Sequence, residues 1–339
     1  VSPRELPLVL VVDDESGNLQ LLRQILQHRY RLLFAKDGPR ALEIAEREKP
    51  DLILLDVMMP GMTGHEVCRE LKRAPTTRQI PVIFVTALTD SEDEVAGFEA
   101  GAVDYIAKPV SAPIVLARLR THLSLVQLEE LRQSRLQLVQ RLGMAAEYKD
   151  TETGMHVVRM SHYAHTLALA AGLSAGAADD LLNAAPMHDV GKIGIPDRIL
   201  QKRGRLDMAE WEIMKSHTTI GANIIGQHTG GILAIAREVA LTHHEKWDGS
   251  GYPNGLAGEQ IPLSGRIVAV VDVFDALTSK RPYKEAWPVE RALECISKKR
   301  GSHFDPALVD LFLARIEEIE GIRTRWQEPE ERDEFERVA

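Results

Sequence analysis

His243 and His244 stand side by side in "THHEK", and the next fifteen residues contain four glycines and a proline. Neighbours on a helix point roughly 100° apart, so both rings can face one point only where the chain leaves the helix. Glycines there let the backbone turn close to such a point without a Cβ in the way. Other residues of the same chemistry follow a pattern. "ETGMH" sets Glu152 and His156 four apart, on one face of a helix; "MHDVGK" supplies His188, Asp189 and Lys192; "KSHTTIG" supplies His217; "VVDVFDA" supplies Asp272. Imidazole and carboxylate without thiolate suit Zn, Mn, Fe, Ni or Co. Asp189 has two oxygens and can bridge two cations, as in dinuclear hydrolases that activate water and clamp phosphoryl oxygens. His156, His188 and Asp272 would complete one cation, and His217, His243 and His244 the other. Two divalent cations outweigh Asp189 and Asp272, leaving a pocket that can hold an anion on a chain of net charge −9.

A second cluster is purely acidic. Asp13 and Asp14 end the apolar run of "LVLVVDDE", and Asp56 ends "LILLD". Three carboxylates gathered at strand ends repel one another unless a hard cation such as Mg²⁺ sits among them. Thr86 and Lys108 end two further runs and add a hydroxyl and an ammonium. A carboxylate nucleophile, a metal pocket and a cation together suit the acceptance of a phosphoryl group.

These residues need elements to position them. "LVLVV" (8–12), "LILLD" (52–56) and "PVIFVT" (81–86) are near-continuous apolar runs, as expected of strands covered on both faces; "RLLFA" (31–35) and "DYIAK" (104–108) complete five. Helical patterns at 17–28, 38–47, 64–73 and 91–100 lie between them. The alternation predicts an α/β fold, a doubly wound five-stranded parallel sheet. Residues 111–148 read as one long connector helix. Its seam, Leu116, Leu119, Leu123, Val126, Leu131, Leu138 and Leu142, fits either a coiled-coil homodimer or packing on its own chain. After residue 150 strand signals nearly vanish: "HVVRMSHYAHTLALAAGL", "AGAADDLLNAAPMHDV", "TTIGANIIGQH", "GILAIAREVALTHHEKW", "GRIVAVVDVFDALTS" and "PALVDLFLARIEEI" have helical spacing, and "EPEERDEFERVA" is a charged, frayed tail. Pro186, just ahead of His188, is placed to kink or end its helix.

Bulk properties narrow the partners. The 339 residues allow about two domains. The negative balance and the lack of a basic recognition helix argue against nucleic acid and anionic membranes. The two cysteines, Cys68 and Cys295, form no metal or redox spacing and fit a reducing compartment. Without a signal-peptide pattern or a spanning segment, the expected location is the cytoplasm.

Over about the first 115 residues, "VVDDE", "LLDVMMPGMTG", "VTA" and "DYIAKP" resemble the response-regulator receiver domain. The resemblance implies phosphorylation of Asp56 by a sensor histidine kinase, Mg²⁺ held by Asp13, Asp14 and Asp56, Lys108 paired with the phosphoryl group, and a switch formed by Thr86 and Tyr105. From "ETGMH" through "HDVGKIGIPD", "LTHHEKWDGSGYPNGLAGEQIPL" and "VDVFDALTSKRPYK" to "GSHFDP", the chain resembles the HD-GYP branch of the HD metal-dependent phosphohydrolases. That implies an all-α domain hydrolysing cyclic di-GMP to pGpG and, in some members, to GMP. Tyr252, Arg281 and Lys284 match substrate-contacting positions. Glu152 matches a ligand of a third metal, so two and three divalent metals both remain open. The implied layout is a receiver (1–120), a connector helix (121–148), an HD-GYP domain (149–325) and a tail (326–339). Lys192 would steady charge developing on the phosphoryl group. The alternatives are a nucleotidase or other HD-group phosphohydrolase, and a cyclic di-GMP sensor of little turnover.

Overall fold

The computed structural model describes residues 6–87, 91–150, 154–279 and 285–327. The chain divides into two compact units, Val1–Gln133 and Ser134–Ala339.

In the first unit, β1 (Leu8–Val12), β2 (Arg31–Ala35), β3 (Leu52–Asp56), β4 (Val82–Thr86) and β5 (Asp104–Ala107) form one parallel sheet in the order β2-β1-β3-β4-β5. The five strands fall where the apolar runs predict them. Every residue of β3 and β4 is buried, which explains why those runs do not alternate with polar residues. Leu10, Val12, Ile53 and Leu55 pack on one face with α2 (Gly38–Glu48) and α3 (Gly64–Arg73). Val9, Val11, Leu52 and Leu54 pack on the other with α1 (Ser16–Leu26) and the start of α5 (Ala112–Lys149). Between β4 and β5 lies α4 (Ser91–Glu99). Local chemistry sets the starts: Asp37 caps α2 ahead of Pro39, and Thr63 with Glu66 forms a capping box on α3. The carboxyl ends of β1 and β3 are neighbours where the strand order reverses, so Asp13 and Asp56 meet there.

The division between the units falls within α5. The predicted leucine seam behaves differently along it: Leu119 and Leu123 are buried in the first unit, whereas Leu131, Leu138 and Leu142 are exposed.

The second unit is helical: α6 (Gly154–Ala170), α7 (Ala175–Ala184), α8 (Asp197–Leu200), α9 (Met208–Lys215), α10 (His217–Ile225), α11 (Ile232–Thr242), α12 (Leu263–Thr278), α13 (Val289–Lys298), α14 (Pro306–Ala314) and α15 (Ile316–Arg325). Among the described residues it contains only two isolated bridges, Asp248–Ala257 and Arg300–Phe304, and no named strand. The helical reading needs three adjustments. "AGAADDLLNAAPMHDV" is not one helix: α7 stops at Ala184, and Pro186, which lacks an N–H, sits in a 3₁₀ turn (Ala185–Met187). A second 3₁₀ segment, Val190–Gly194, follows Asp189. The run from Pro306 is broken at Arg315, and α8, α9 and α13 lie outside the helical stretches singled out from the sequence, although Asp207 and Glu210 form a capping box on α9. Among the described residues no helix is long and apolar enough to cross a membrane.

Phe274 anchors the second unit's core: it is fully buried, edge-on to Tyr163 at 5.7 Å and to Phe312 at 5.1 Å. Phe274→Ala should cost about 3–5 kcal/mol of stability. Chemical denaturation monitored by circular dichroism checks this, and a loss under about 1 kcal/mol would contradict the packing described.

Candidate metal centre and phosphoacceptor site

The centre of the second unit begins with backbone that fixes ring nitrogens. His188 lies just past the Pro186 turn, and its Nδ1 contacts the Ala185 carbonyl at 3.1 Å. His217 opens α10 with Nδ1 2.7 Å from the Met214 carbonyl. His243 caps α11 with Nδ1 3.0 Å from the Val239 carbonyl. A carbonyl only accepts, so each Nδ1 carries a proton, and the lone pair of each neutral ring lies on Nε2. His156 on α6 reaches the same state through a carboxylate: its Nδ1 donates to Asp275 at 2.8 Å, and Arg159 grips Asp275 at 2.7 and 2.9 Å.

The lone pairs converge on Asp189. Its Oδ1 is 3.1 Å from His217 Nε2 and 3.5 Å from His243 Nε2; its Oδ2 is 3.2 Å from His188 Nε2. The two oxygens thus face two different sets of rings, as a bridging carboxylate must. Ligand atoms of Asp189, His217, His243 and His244 all lie within 4.8 Å of one another, and so do those of Glu147, His156 and His188. Asp272 stands beside the second set, with Oδ1 3.6 Å from His156 Nε2. His188 Nε2, Asp189 Oδ1, His217 Nε2 and His243 Nε2 are buried and have no hydrogen-bond partner. Lone pairs that face one another out of reach of water, without donors, are what a divalent cation satisfies. The residues fit such ions.

The tandem histidines and the glycine-rich turn form one device. α11 ends at Thr242, and the two rings lie 4.0 Å apart between centroids. The next residue, buried Glu245, accepts the backbone N–H groups of Asn254 at 2.7 Å and Leu256 at 3.0 Å, folding the turn back. A Cβ on Gly251 would lie 2.3 Å from the Lys246 nitrogen, so only glycine lets the strands of this turn touch. The turn sets Tyr252 against His244 with ring centroids 4.8 Å apart, and half-exposed Trp211 on α9 stands edge-on to Tyr252.

Charge is balanced inside the site. Lys192, on the 3₁₀ segment after Asp189, contacts Asp189 at 2.7 Å and Asp150 at 2.5 Å. Although burial works against an ionised Asp189, Lys192 and the surrounding imidazoles hold its carboxyl well below the usual range. Burial and the neighbouring rings keep His243 and His244 neutral. Burial also pushes the Glu147 carboxyl up, with Lys192 opposing.

In the first unit, Lys108 Nζ joins Asp56 Oδ2 at 2.7 Å and Asp13 Oδ2 at 2.9 Å. Asp14 is half-buried beside them, and one ligand oxygen of each of the three carboxylates lies within 4.8 Å of the others. Burial raises the Asp56 carboxyl while Lys108 opposes. Thr86 is buried at the end of β4 opposite Ala107, and Tyr105 on β5 is half-buried opposite Phe84. Cys68 is buried, its thiol pushed up to about 11, and Cys295 is half-buried.

The structure therefore gathers His156, His188, Asp189, Lys192, His217, His243, His244, Tyr252 and Asp272 in one unit and Asp13, Asp14, Asp56 and Lys108 in the other. Glu152, Arg281 and Lys284 lie outside the described residues. Sequence reasoning missed Asp275 and Arg159, each three residues from a predicted ligand and so on the same helix face. It also missed Glu245, next to His244, and Glu147, which no local pattern separates from the exposed Glu129 and Glu130.

A parallel five-stranded unit with an acidic rim, joined to a helical unit with a histidine–aspartate centre, defines a receiver fused to an HD-type domain. Residues 132–308 match the HD domain family and residues 9–120 the response regulator receiver domain; the chain belongs to the HD domain family. It is 41% identical to a Vibrio cholerae protein named probable cyclic di-GMP phosphodiesterase, over 95% of this chain and 80% of that one. It is 40% identical to the Xanthomonas campestris cyclic di-GMP phosphodiesterase response regulator RpfG, over 92% and 89%. A Thermotoga maritima protein named cyclic di-GMP phosphodiesterase is 38% identical, over 94% and 92%.

Without metal, burial disfavours a charged His188, but Asp189, Asp272 and Glu147 outweigh it and push the ring up to about 9. Below that pH a cation loaded on His188 must displace a proton. Metal affinity should therefore rise as pH rises toward 9, with proton release on binding. Calorimetry in buffers of different ionisation enthalpy reads this directly, and buffer-independent heats at about pH 7 would refute it.

Proposed function

We propose that this chain is a two-component response regulator whose second unit hydrolyses cyclic di-GMP to pGpG. The observation that carries the reading is the set of buried, unpartnered Nε2 atoms of His188, His217 and His243 around Asp189. The layout proposed is a receiver over 1–120, a connector over 121–148 and a phosphohydrolase over 149–325.

His217, His243, His244 and Asp189 would hold one divalent transition cation, and His156, His188, Asp272 and Asp189 another, with Glu152 the proposed ligand of a third. When bound, such ions supply an activated water and Lewis acidity toward phosphoryl oxygens. The chain's own groups do the rest. The Nδ1 contacts to carbonyls and to Asp275 lock each ring in the tautomer that binds. Lys192 offers its ammonium to charge growing on the phosphodiester. Arg281 and Lys284 add a guanidinium fork and a point charge for the second phosphate. Tyr252, whose phenol burial and nearby carboxylates hold protonated, can donate a hydrogen bond, and Trp211 beside it offers a flat apolar face to a base. In the first unit, Asp56 is the proposed phosphoacceptor from a sensor histidine kinase. Asp13 and Asp14 would hold Mg²⁺, Lys108 would pair with the phosphoryl oxygens, and Thr86 and Tyr105 would form the switch. A cytoplasmic location and a homodimer through the exposed α5 leucines complete the reading.

A second substrate deserves comparison. Over 57% of its length, and only 37% of the other's, the chain is 48% identical to a Vibrio cholerae protein named 3′3′-cGAMP-specific phosphodiesterase 2. The two cyclic dinucleotides differ in one base, so both belong in the assay.

Metal-loaded protein should convert cyclic di-GMP to pGpG faster than it converts 3′3′-cGAMP or mononucleotides, as read by chromatography of the products. Asp189→Ala should lose both bound metal and turnover. Tight binding of cyclic di-GMP with no product, whatever the metal, would leave a sensor in place of an enzyme. Acetyl phosphate should label Asp56 in an acid-labile form that Asp56→Ala lacks, and label persisting in that variant would move the phosphoacceptor elsewhere.

A further inference from the structure

Glu147 belongs to neither ligand set read from the sequence. It lies near the end of α5, has no exposed surface, and neither carboxylate oxygen has a hydrogen-bond partner. The nearest cationic group is Lys192 Nζ at 3.8 Å, and that ammonium is already engaged by Asp150 at 2.5 Å and Asp189 at 2.7 Å. Burying a carboxylate without donors is costly, and protonating it would leave a buried hydroxyl equally unpaired.

Its placement is enforced by packing. A Cβ on Gly143, one helical turn earlier, would sit 2.2 Å from the Pro186 carbonyl oxygen, so α5 touches the turn that leads into His188. Past Glu147, Lys149 Nζ donates to the carbonyls of Ile193 at 2.8 Å and Ile195 at 2.6 Å, and the Lys149 carbonyl accepts from Gln201 Nε2 at 3.2 Å. The helix end is thus fastened to the segment carrying His188, Asp189 and Lys192. Held there, a Glu147 oxygen lies within 4.8 Å of a ligand nitrogen on both His156 and His188.

We propose that Glu147 is itself a metal ligand: it completes, with His156 and His188, the donor set for a divalent transition cation on the α5 side of Asp189. The ligand stands in addition to Asp272. A cation there gives both orphaned oxygens of Glu147 the partner they lack. Since α5 begins at Ala112 in the first unit, one ligand is then borne on the helix common to both units. The inference rests on reading the second unit as a metal-dependent phosphohydrolase.

The test compares the full chain with Glu147→Gln, which keeps shape and removes charge, and Glu147→Asp, which keeps charge on a shorter arm. Each is stripped with chelator, titrated with Mn²⁺ and analysed for retained metal. Glu147→Gln should retain one metal fewer per chain and bind the remainder of that class about tenfold more weakly or worse, since even groups that only support ligands cost that much. Its metal-free form should melt higher than metal-free wild type, because the lone carboxylate is gone, while its gain in melting temperature on adding Mn²⁺ shrinks. Glu147→Asp should recover part of that gain. Unchanged metal content and affinity in Glu147→Gln would overturn the assignment. So would a metal-free form that melts lower with an unchanged Mn²⁺ gain, the mark of a purely structural side chain. Wild type that holds metal yet leaves cyclic di-GMP intact would defeat the functional reading and not this one.

Discussion

The second unit is organised around a single constraint: Asp189 must stay ionised in a place water does not reach. It is buried, yet four polar atoms at its centre lack hydrogen-bond partners. Each such orphan costs about 1–3 kcal/mol, so the fold bears a destabilising load that only cations remove. Everything nearby makes that load specific. Three rings are held by carbonyls and one by a carboxylate, so their lone pairs cannot rotate away. Lys192 sets the local charge so that Asp189 keeps its negative form. A Cβ on Gly191 would lie 1.8 Å from the His217 carbonyl oxygen, so the Asp189 segment and α10 are in backbone contact and hold His188 and His217 in register.

Local signals made most of this legible. Near-continuous apolar runs marked β1, β3 and β4 because parallel strands inside a sheet are covered on both faces, while the partly exposed β2 and β5 were read from their spacing in the alternation. Pro186 marked the end of α7 because proline lacks the donor a helix needs. The histidine–aspartate cluster was readable because imidazole and carboxylate in short clusters have few other uses in combination. What stayed hidden depends on contacts distant in sequence. Asp275 looks like any helical aspartate until His156 and Arg159 arrive from 119 and 116 residues away. Glu147 becomes distinctive only once the Gly143–Pro186 contact has carried it into the interior. The break at Arg315 has no proline or glycine to announce it.

The answer to the paired histidines also lies partly outside the pair. The helix end spreads the rings, but Glu245 decides where the chain goes next. By accepting two backbone N–H groups from the turn, it ties the loop carrying Tyr252 to the residue next to His244. The positions of both imidazoles and of the Tyr252 ring are therefore set by one short segment. Displacement of Tyr252 would be felt at the imidazoles, and the reverse holds as well.

The two units solve the problem of crowded carboxylates in different ways, and donor type separates their ions. The rim of the first unit offers oxygen only, from Asp13, Asp14 and Asp56, and Lys108 already bridges two of the three. Hard oxygen donors suit Mg²⁺, which keeps several waters and tolerates an incomplete protein shell. The second unit offers nitrogen from five imidazoles and has shed water from most of them, which favours a transition ion that binds more covalently. Reversible phosphoryl acceptance and water activation, the roles proposed for the two sites, call for different kinds of pocket. The segregation of oxygen-only and imidazole-rich clusters into separate units would let two kinds of ion bind without exchanging places.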